Sequence, residues 1–340
     1  MRNGHSSKTV YFLGAGASNE LFGLATMKEF FNNYPVDDYK MLSRFLSQYF
    51  FNGLEEDKLE NKIKESSLNL EDVITALELS LDRVGSFGKH PESYLIDVRR
   101  EFDKFVKEKC NLENNNYDKS KAEKIVKSLD PKDTVITLNY DLGLDELFGS
   151  PSNHSTRNSR LYCDLLGNAA SYMDTGINMA IEEEEFNNLY LKLHGSINWI
   201  YCAKEDCYYH NFIQKEDRYF KENLLCRTCG SSLFYVIIPP TLHKSFERFP
   251  KLGLLWSLAY RKLNEAVKII IFGVSFADSD YYLRWLFKSA IAERESSPPR
   301  IAVVNKDSCV CNKVKDITGI TPDFEGDFDE YIEKIKLREV

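Results

Sequence analysis

The chain has 340 residues, of which 43% are hydrophobic and 28% charged, and its formal net charge is −8. A chain of this length can bury a large core and predicts about two domains, or one domain with insertions. No apolar run is long enough to span a bilayer, and the acidic balance gives no general attraction to nucleic acid or anionic lipid. The N-terminal stretch does not resemble a signal peptide, so we expect a cytoplasmic protein with reduced cysteines.

Five apolar runs, rich in β-branched or aromatic residues, each end abruptly in small or polar residues. They are TVYFLGAGAS (9–18), DTVITLNYD (133–141), LYLKLHGS (189–196), VKIIIFGVS (267–275) and PRIAVVNKD (299–307). Runs without alternation are typical of strands buried on both faces of a parallel sheet. Helical patterns follow three of these runs, at 25–34, 141–148 and 278–295. Strands that alternate with helices predict an α/β domain with a Rossmann-like, doubly wound parallel sheet.

Two segments interrupt this alternation. Residues 35–130 are mostly helical in pattern, with amphipathic stretches at 70–81 and 93–109, and Asn69 is suited to cap the first of them. Residues 150–187 form a polar connection. We therefore predict three parts, with these boundaries: a Rossmann-like domain formed by 1–34, 131–200 and 233–340, a helical insertion at 35–130, and a small cysteine ribbon at 201–232.

The cysteines carry the most specific chemical signal. Cys202 and Cys207 are followed, after a gap of eighteen residues, by Cys226 and Cys229. Two close thiolate pairs at this separation are typical of a ribbon that binds zinc tetrahedrally, with each pair on a turn. All four ligands would come from the protein, so the zinc would be structural. Transient disulfides or unliganded thiols are the alternatives.

In a doubly wound sheet, ligands bind at the carboxyl ends of the strands, near the point where the strand order reverses. Glycines, amides, hydroxyls, a carboxylate and a histidine are expected there. They are Gly14, Gly16, Ser18, Asn139, Asp141, His194, Gly273, Ser275 and Asn305. Five strand ends with this mixture predict a nucleotide site.

Each of these motifs also has a purely structural interpretation. The loop GAGAS at 14–18 lets the backbone approach a phosphate at a helix start, or it makes only a tight turn. Asn139 orients a ribose hydroxyl or a water, or it forms an Asx-turn. Asp141 accepts a hydrogen bond from a ribose, or it caps the next helix. His194 is a catalyst at a strand tip or a core residue, and the company of four other polar strand ends favours catalysis.

The order of these motifs resembles the sirtuin-like (silent-information-regulator) superfamily of NAD-consuming proteins over about residues 8–310. A GAGAS loop, an N-x-D strand end, an HG strand end, a four-cysteine ribbon, a G-x-S strand end and a strand ending in Asn follow one another. The longer forms TLNYD, LHGSINW and FGVSFADSDYYLRWLF are similar to the prokaryotic branch associated with antiphage defence more than to protein deacylases.

The resemblance implies a role for each matching residue. The NAD pyrophosphate would be cradled by Gly14, Ala15, Gly16 and Ser18. The adenosine half would contact Gly273, Ser275 and Asn305. Asn139 would position water or the nicotinamide ribose, and Asp141 would lie beside the same ribose. His194 would act on a ribose hydroxyl as a general base or an orienting acceptor.

The implied activity is that of an NAD glycohydrolase, with NAD as substrate and zinc as a structural ion. In the defence branch such activity depletes NAD, with a separate partner such as a ring-forming DNA-translocating ATPase or an Argonaute-like protein. The apolar stripes of segment 35–130 predict self-association. Peptide deacylation is disfavoured because the stretch VIIPPTLHKSF (236–246) contains prolines, which lack the donor needed to pair with a peptide. A deacylase or ADP-ribosyltransferase, and a non-enzymatic module that binds NAD or ADP-ribose, are the alternatives.

Overall fold

The computed structural model describes residues 8–83, 91–114, 117–130, 132–149, 189–210, 214–215, 224–238 and 249–337. The predicted polar connection at 150–187 lies outside these ranges. The strands are β1 (Thr9–Leu13), β2 (Thr134–Thr137), β3 (Leu189–Lys192), β4 (Gly195–Cys202), β5 (Gln214–Lys215), β6 (Leu233–Ile237), β7 (Lys268–Phe272), β8 (Arg300–Val304) and β9 (Phe324–Gly326). The helices are α1 (Ala15–Phe22), α2 (Lys40–Phe50), α3 (Glu56–Glu65), α4 (Leu70–Arg83), α5 (Glu92–Lys109), α6 (Lys119–Ser128), α7 (Gly143–Gly149), α8 (Pro250–Glu265), α9 (Tyr281–Ala292), α10 (Cys309–Thr318) and α11 (Phe328–Leu337).

The large sheet confirms the predicted fold class. Its strand order is β3-β2-β1-β7-β8-β9, and every neighbouring pair is parallel. The chain adds β2 and β3 on one side of β1 and then returns to build β7 to β9 on the other side. The strand order therefore reverses between β1 and β7, as in doubly wound folds. All residues of β1, β2 and β3 are buried, so both faces of the sheet are covered.

Two groups of helices cover this sheet and share its core. Helix α6 contacts α1 and α7, and α9 contacts α8 and α10. Their apolar residues join those of the strands in one buried cluster. None of the helices in the described ranges is both long enough and apolar enough to cross a membrane.

A second core joins helices α2 to α5 to a small antiparallel sheet of order β5-β4-β6. The buried guanidinium of Arg99 on α5 contacts Glu78 on α4 and Asp103, and donates to the Tyr235 carbonyl of β6 over 2.8 Å. The N–H of Tyr235 donates to Asp103 over 2.9 Å, and burial raises the pKa of Asp103. Most of the predicted helical insertion thus shares a core with the sheet that carries the cysteines, whereas α6 packs in the first core. The exact domain boundaries stay predictions.

One predicted helix is wrong. The stretch 25–34 forms turns, and the helix that follows β1 is α1, which begins directly after Gly14. Gly23, with φ of +67°, ends α1 in the left-handed conformation. The helical spacing of the aromatic residues in 25–34 has another cause, since Phe30 and Phe31 both pack against the ring of Phe105 on α5. Tertiary packing has overridden the local pattern here.

Candidate functional site

The polar strand ends form a row along one edge of the large sheet. Leu13 pairs with Thr137 and Phe272, Thr137 pairs with Lys192, and Phe272 pairs with Val304. The residues one or two positions beyond these pairs are Gly14, Asn139, His194, Gly273 and Asn305. The reversal of strand order falls within this row, which is where doubly wound sheets bind their ligands.

The glycines of this row are required by contact between two loops. The N–H of Gly16 donates to the carbonyl of Gly273 over 2.9 Å. Gly273 has φ of +64°, and a Cβ there would lie 2.1 Å from the nitrogen of Ala17. A Cβ on Gly14 would lie 2.6 Å from the Gly273 oxygen. These contacts explain the glycines without a ligand, so the pyrophosphate role of the loop, including Ala15, stays a prediction.

A chain of hydrogen bonds orients the amide of Asn139. Its Nδ2 donates to the carbonyl of Gly14 over 2.8 Å and to the Oγ of Ser18 over 2.7 Å. The Ser18 hydroxyl donates to Oδ2 of Asp141 over 2.5 Å, and Oδ1 of Asp141 accepts from the N–H of Gly143 over 3.0 Å. An amide nitrogen has two protons and a hydroxyl has one, so these donors are all committed. Asn139 therefore presents Oδ1, an acceptor, to any ligand.

This network supports the structural interpretation of Asp141 in the N-x-D motif and not that of Asn139. Asp141 forms the turn at the start of α7, which was one of its two predicted roles. Asn139 makes no such turn, because its amide reaches back to the loop between β1 and α1. Ser18 and Asp141 are buried, and with Asn139 they border a small cavity whose other lining residues include Phe22, Thr137 and Tyr190. Contacts of Ser18 with pyrophosphate and of Asp141 with ribose stay predictions.

His194 is held from several sides. Its carbonyl accepts from the N–H of Ile238 over 2.8 Å, and the preceding carbonyl of Leu193 accepts from Nε1 of Trp256 over 3.0 Å. The Trp256 ring stacks on the imidazole with centroids 6.1 Å apart. Nε2 of His194 lies 3.3 Å from Oδ2 of Asp280, and each of these two side chains is 4% exposed. The histidine is buried as a core residue would be, and it faces a carboxylate as catalytic histidines commonly do.

Lys192 supports the site, and the sequence pattern did not single it out. Its side chain is fully buried, and Nζ donates to the carbonyl of Asp141 over 2.5 Å and to that of Tyr140 over 3.3 Å. Nζ also lies 3.2 Å from the carboxylate of Asp145 on α7. The hydroxyl of Tyr140 donates to the carbonyl of Ile238 over 3.0 Å, and burial raises the pKa of this phenol far above its usual range. The segment after β2 is thus fixed from both sides.

The far end of the row is more open. Nδ2 of Asn305 donates to the carbonyl of Val274 over 3.0 Å, and its Oδ1 accepts from the N–H of Asp307 over 3.0 Å. Ser275 is exposed, and its carbonyl accepts from Nζ of Lys313 over 3.0 Å. These two residues lie together beside the end of β8, and their predicted contacts with adenosine remain predictions.

The four ribbon cysteines form one cluster. The sulfurs of Cys202 and Cys229 lie 3.5 Å apart, those of Cys207 and Cys226 lie 3.7 Å apart, and all four are within 4.8 Å of one another. Sulfurs bound tetrahedrally at about 2.3 Å from a zinc ion are separated by about 3.8 Å, so the cluster fits zinc. Donors of Ser231 lower the pKa of Cys229 to about 6, whereas burial raises the pKa of Cys202 and that of Cys207.

The sequence matches no known protein-family profile, and no curated protein matches it. Among solved structures the chain is similar to Sir2 proteins. One is a Sir2 variant with a deacetylated p53 peptide and 3′-O-acetyl-ADP-ribose (TM-score 0.46, 13% identity, 98% of this chain and 94% of that chain covered). Another is a variant of a Sir2 homologue with ADP-ribose (TM-score 0.44, 15% identity, 98% and 94% covered). A third is Sir2 with a p53 peptide and NAD+ (TM-score 0.39, 13% identity, 98% and 94% covered). Likenesses of this size do not assign the chain to a family.

Proposed function

We propose that this protein is an NAD glycohydrolase that cleaves the nicotinamide–ribose bond. The observation that carries the proposal is the pairing of two oriented groups at the ends of neighbouring strands. Asn139 follows β2 with both amide protons held by Gly14 and Ser18, so Oδ1 is the group that it offers a ligand, and His194 follows β3 beside Asp280. Both stand at the edge of the sheet where a dinucleotide would bind.

The reaction needs few protein groups. Water adds to the anomeric carbon of the ribose while the C–N bond breaks, so that NAD and water give ADP-ribose, nicotinamide and one proton. The transition state carries positive charge on the ribose, and catalysis consists of placing the water and stabilising that charge. Oδ1 of Asn139 accepts a hydrogen bond from the water or from the nicotinamide ribose. His194 accepts a proton from a ribose hydroxyl or the water.

The remaining predicted residues hold the substrate, with GAGAS at the pyrophosphate and Gly273, Ser275 and Asn305 at the adenosine. Zinc, held by the four ribbon cysteines, supplies folding free energy to the second core and takes no part in the chemistry. Three of these cysteines belong to that core, which supports a structural role.

The direct test measures nicotinamide release from NAD by the full chain. His194→Ala and Asn139→Ala should each remain folded, still bind NAD and lose on the order of 100-fold or more in kcat. The double variant should be little worse than either single one, because groups that serve one transition state are not additive. Asn264→Ala is a matched control, since this amide donates to the carbonyl of Ala290 between α8 and α9, away from the row.

Parallel reactions separate the rival functions. An acylated peptide is added to one and a candidate partner protein to another. Nicotinamide that appears only with the peptide would assign a deacylase or ADP-ribosyltransferase. NAD binding without nicotinamide under any condition would assign a binding module.

The motif resemblance further supports a role in antiphage defence, in the cytoplasm, where the enzyme would deplete NAD with an ATPase or Argonaute-like partner. Self-association through the helical segment is supported by exposed apolar side chains, since Tyr49 on α2 and Leu79 on α4 are each 47% exposed. Light scattering of the wild type and of a Tyr49→Lys/Leu79→Lys variant at micromolar concentration would test this contact.

A further inference from the structure

Hydrogen bonds of both its backbone and its side chain fix Asp280 in the connection between β7 and α9. Its backbone N–H donates to the carbonyl of Ala277 over 3.1 Å, and its Oδ1 accepts from the N–H of Leu283 over 3.1 Å, capping α9. Phe276, four residues earlier, has φ of +48° and is nevertheless buried, packing edge-on against Phe287. A non-glycine residue keeps such a conformation only where its surroundings impose it. The connection between β7 and α9 therefore holds the Asp280 carboxylate in a fixed position.

The cap uses only one of the two carboxylate oxygens. The other, Oδ2, faces Nε2 of His194 at 3.3 Å in a place where both side chains are 4% exposed. Serine or asparagine caps a helix as well as aspartate does. A carboxylate, in contrast, costs free energy to bury unless a positive or proton-donating partner meets it. The choice of aspartate at this position is explained by the histidine rather than by the helix.

We propose that Asp280 is a positioning residue that directs His194 in the proposed hydrolysis. The inference rests on the proposed function. By accepting from Nε2–H, Asp280 holds the neutral ring in one tautomer, which leaves the lone pair on Nδ1. When a ribose hydroxyl or water transfers its proton to Nδ1, the O–H bond breaks, its electron pair stays on oxygen, and the new imidazolium lies beside a carboxylate that stabilises it.

The backbone of His194 reinforces this arrangement. The hydrogen bonds at Leu193 and His194 and the Trp256 stack fix the ring plane, so the carboxylate has only to select the proton position. Replacement of the equivalent aspartate in the serine-protease triad, a worked case of this effect, leaves the geometry intact and lowers kcat by about 10⁴ through the wrong tautomer.

The experiment uses the full chain and Asp280→Asn, which keeps the cap and the side-chain size. We expect kcat for nicotinamide release to fall on the order of 100-fold or more, with KM for NAD changed by less than about threefold. The melting temperature should stay close to that of the wild type. Asp280→Ser, whose side chain caps the helix but cannot reach the ring, should lose as much kcat as Asp280→Asn. Asp118→Ala removes a cap from α6 only and should lower the melting temperature by about 2–4 °C without lowering kcat.

A spectroscopic measurement reports the proton directly. Nitrogen-15 NMR of ring-labelled histidine distinguishes the tautomers, and the His194 signal is identified by its loss in His194→Gln. The wild type should show Nε2 protonated, and Asp280→Asn should show a mixture or the other tautomer. In Asp280→Asn/His194→Ala the activity should equal that of His194→Ala alone.

The two proposals fail in different ways. Normal kcat in Asp280→Asn with an active wild type would overturn the role of Asp280 and leave the glycohydrolase standing, whatever the tautomer. A wild type that binds NAD without releasing nicotinamide would overturn the hydrolase, and the NMR comparison would still decide whether Asp280 sets the tautomer. An unchanged His194 signal in both Asp280 variants would overturn the positioning role.

Discussion

Replacing Lys192 by Met tests whether the buried ammonium holds the site together. The wild-type Nζ meets two carbonyls and the Asp145 carboxylate, and the lysine has no exposed surface. Lys192→Met preserves the length and apolar stem of the side chain, so the change isolates the charge and its donors. It leaves Asp145, 11% exposed at its side chain, with a hydrogen bond from Tyr190 over 3.2 Å but without its cation.

The expected loss follows from these partners. Removing one member of a buried ion pair costs about 3–5 kcal/mol, because the other charge stays in a poorly solvated place. The remaining bond from Tyr190 and the gain of a buried thioether reduce that figure, so we expect the free energy of unfolding to fall by about 3 kcal/mol. The melting temperature should fall by roughly 6–12 °C, taking about 2–4 °C per kcal/mol. Because Lys192 holds the backbone around Asn139, kcat should fall as well.

Urea unfolding followed by circular dichroism measures the loss. Lys192→Met/Asp145→Leu, which removes both charges, should be more stable than Lys192→Met alone. The matched control is Lys127→Met, which breaks an exposed pair with Glu123 on α6 and should change stability by less than about 0.5 kcal/mol. If Lys192→Met and Lys127→Met unfold at the same urea concentration, the ammonium contributes nothing that water could not replace, and the reasoning is refuted.

Two further predictions concern the zinc cluster and Asp133, which directly precedes β2. Cys226→Ser should reduce bound zinc from about one equivalent to a small fraction and destabilise the second core, and elemental analysis of fresh wild-type protein that finds less than about half an equivalent would contradict the assignment. Burial raises the pKa of Asp133 to about 6, so its folded form favours the proton, and its contribution to stability is present below about pH 4 and lost as the pH rises through 6. The stability of Asp133→Asn relative to wild type should therefore rise between pH 4.5 and 7.5 in urea unfolding. Asp118→Asn, which loses a carboxylate whose pKa is lowered by Ser120, should show no such rise, because a lowered pKa changes stability only below about pH 4.

The parallel sheet could be predicted because its strands are short, apolar on both faces and bounded by glycine or polar residues. The strand β9 could not, because Phe324–Gly326 has no apolar pattern and forms only by pairing with β8. The prediction of a helix over 25–34 was wrong because its aromatic residues pack against α5 rather than forming the apolar face of a local helix. Local patterns report which residues are buried, but they do not name the surface that buries them.

The same limit applies to the site. Asn139 and His194 were visible because polar groups interrupt apolar runs at strand ends. Lys192 lies inside such a run, where a single long polar side chain suggests no partner, and Asp280 reads as an ordinary helix cap 86 residues after the histidine that it meets. Neither Lys192 nor Asp280 can be assigned to the site from the sequence, because that requires knowing that β3 ends and α9 begins at the same edge of the sheet.

The position of His194 between the two cores gives these separate contacts a common consequence. Gly195, with φ of +91°, turns the chain from β3 of the large sheet into β4 of the small one, and a Cβ there would lie 1.9 Å from the carbonyl oxygen of Val236. The segment after β2 makes a similar crossing, because Tyr140 packs in the second core while its neighbours Asn139 and Asp141 hydrogen-bond to Ser18 on α1. A change in how the helical segment packs on β4 and β6 would therefore act on Gly195 and Tyr140, where the chain passes from one core to the other. The catalytic pair proposed here is therefore located where packing of one core can alter the chemistry at the edge of the other.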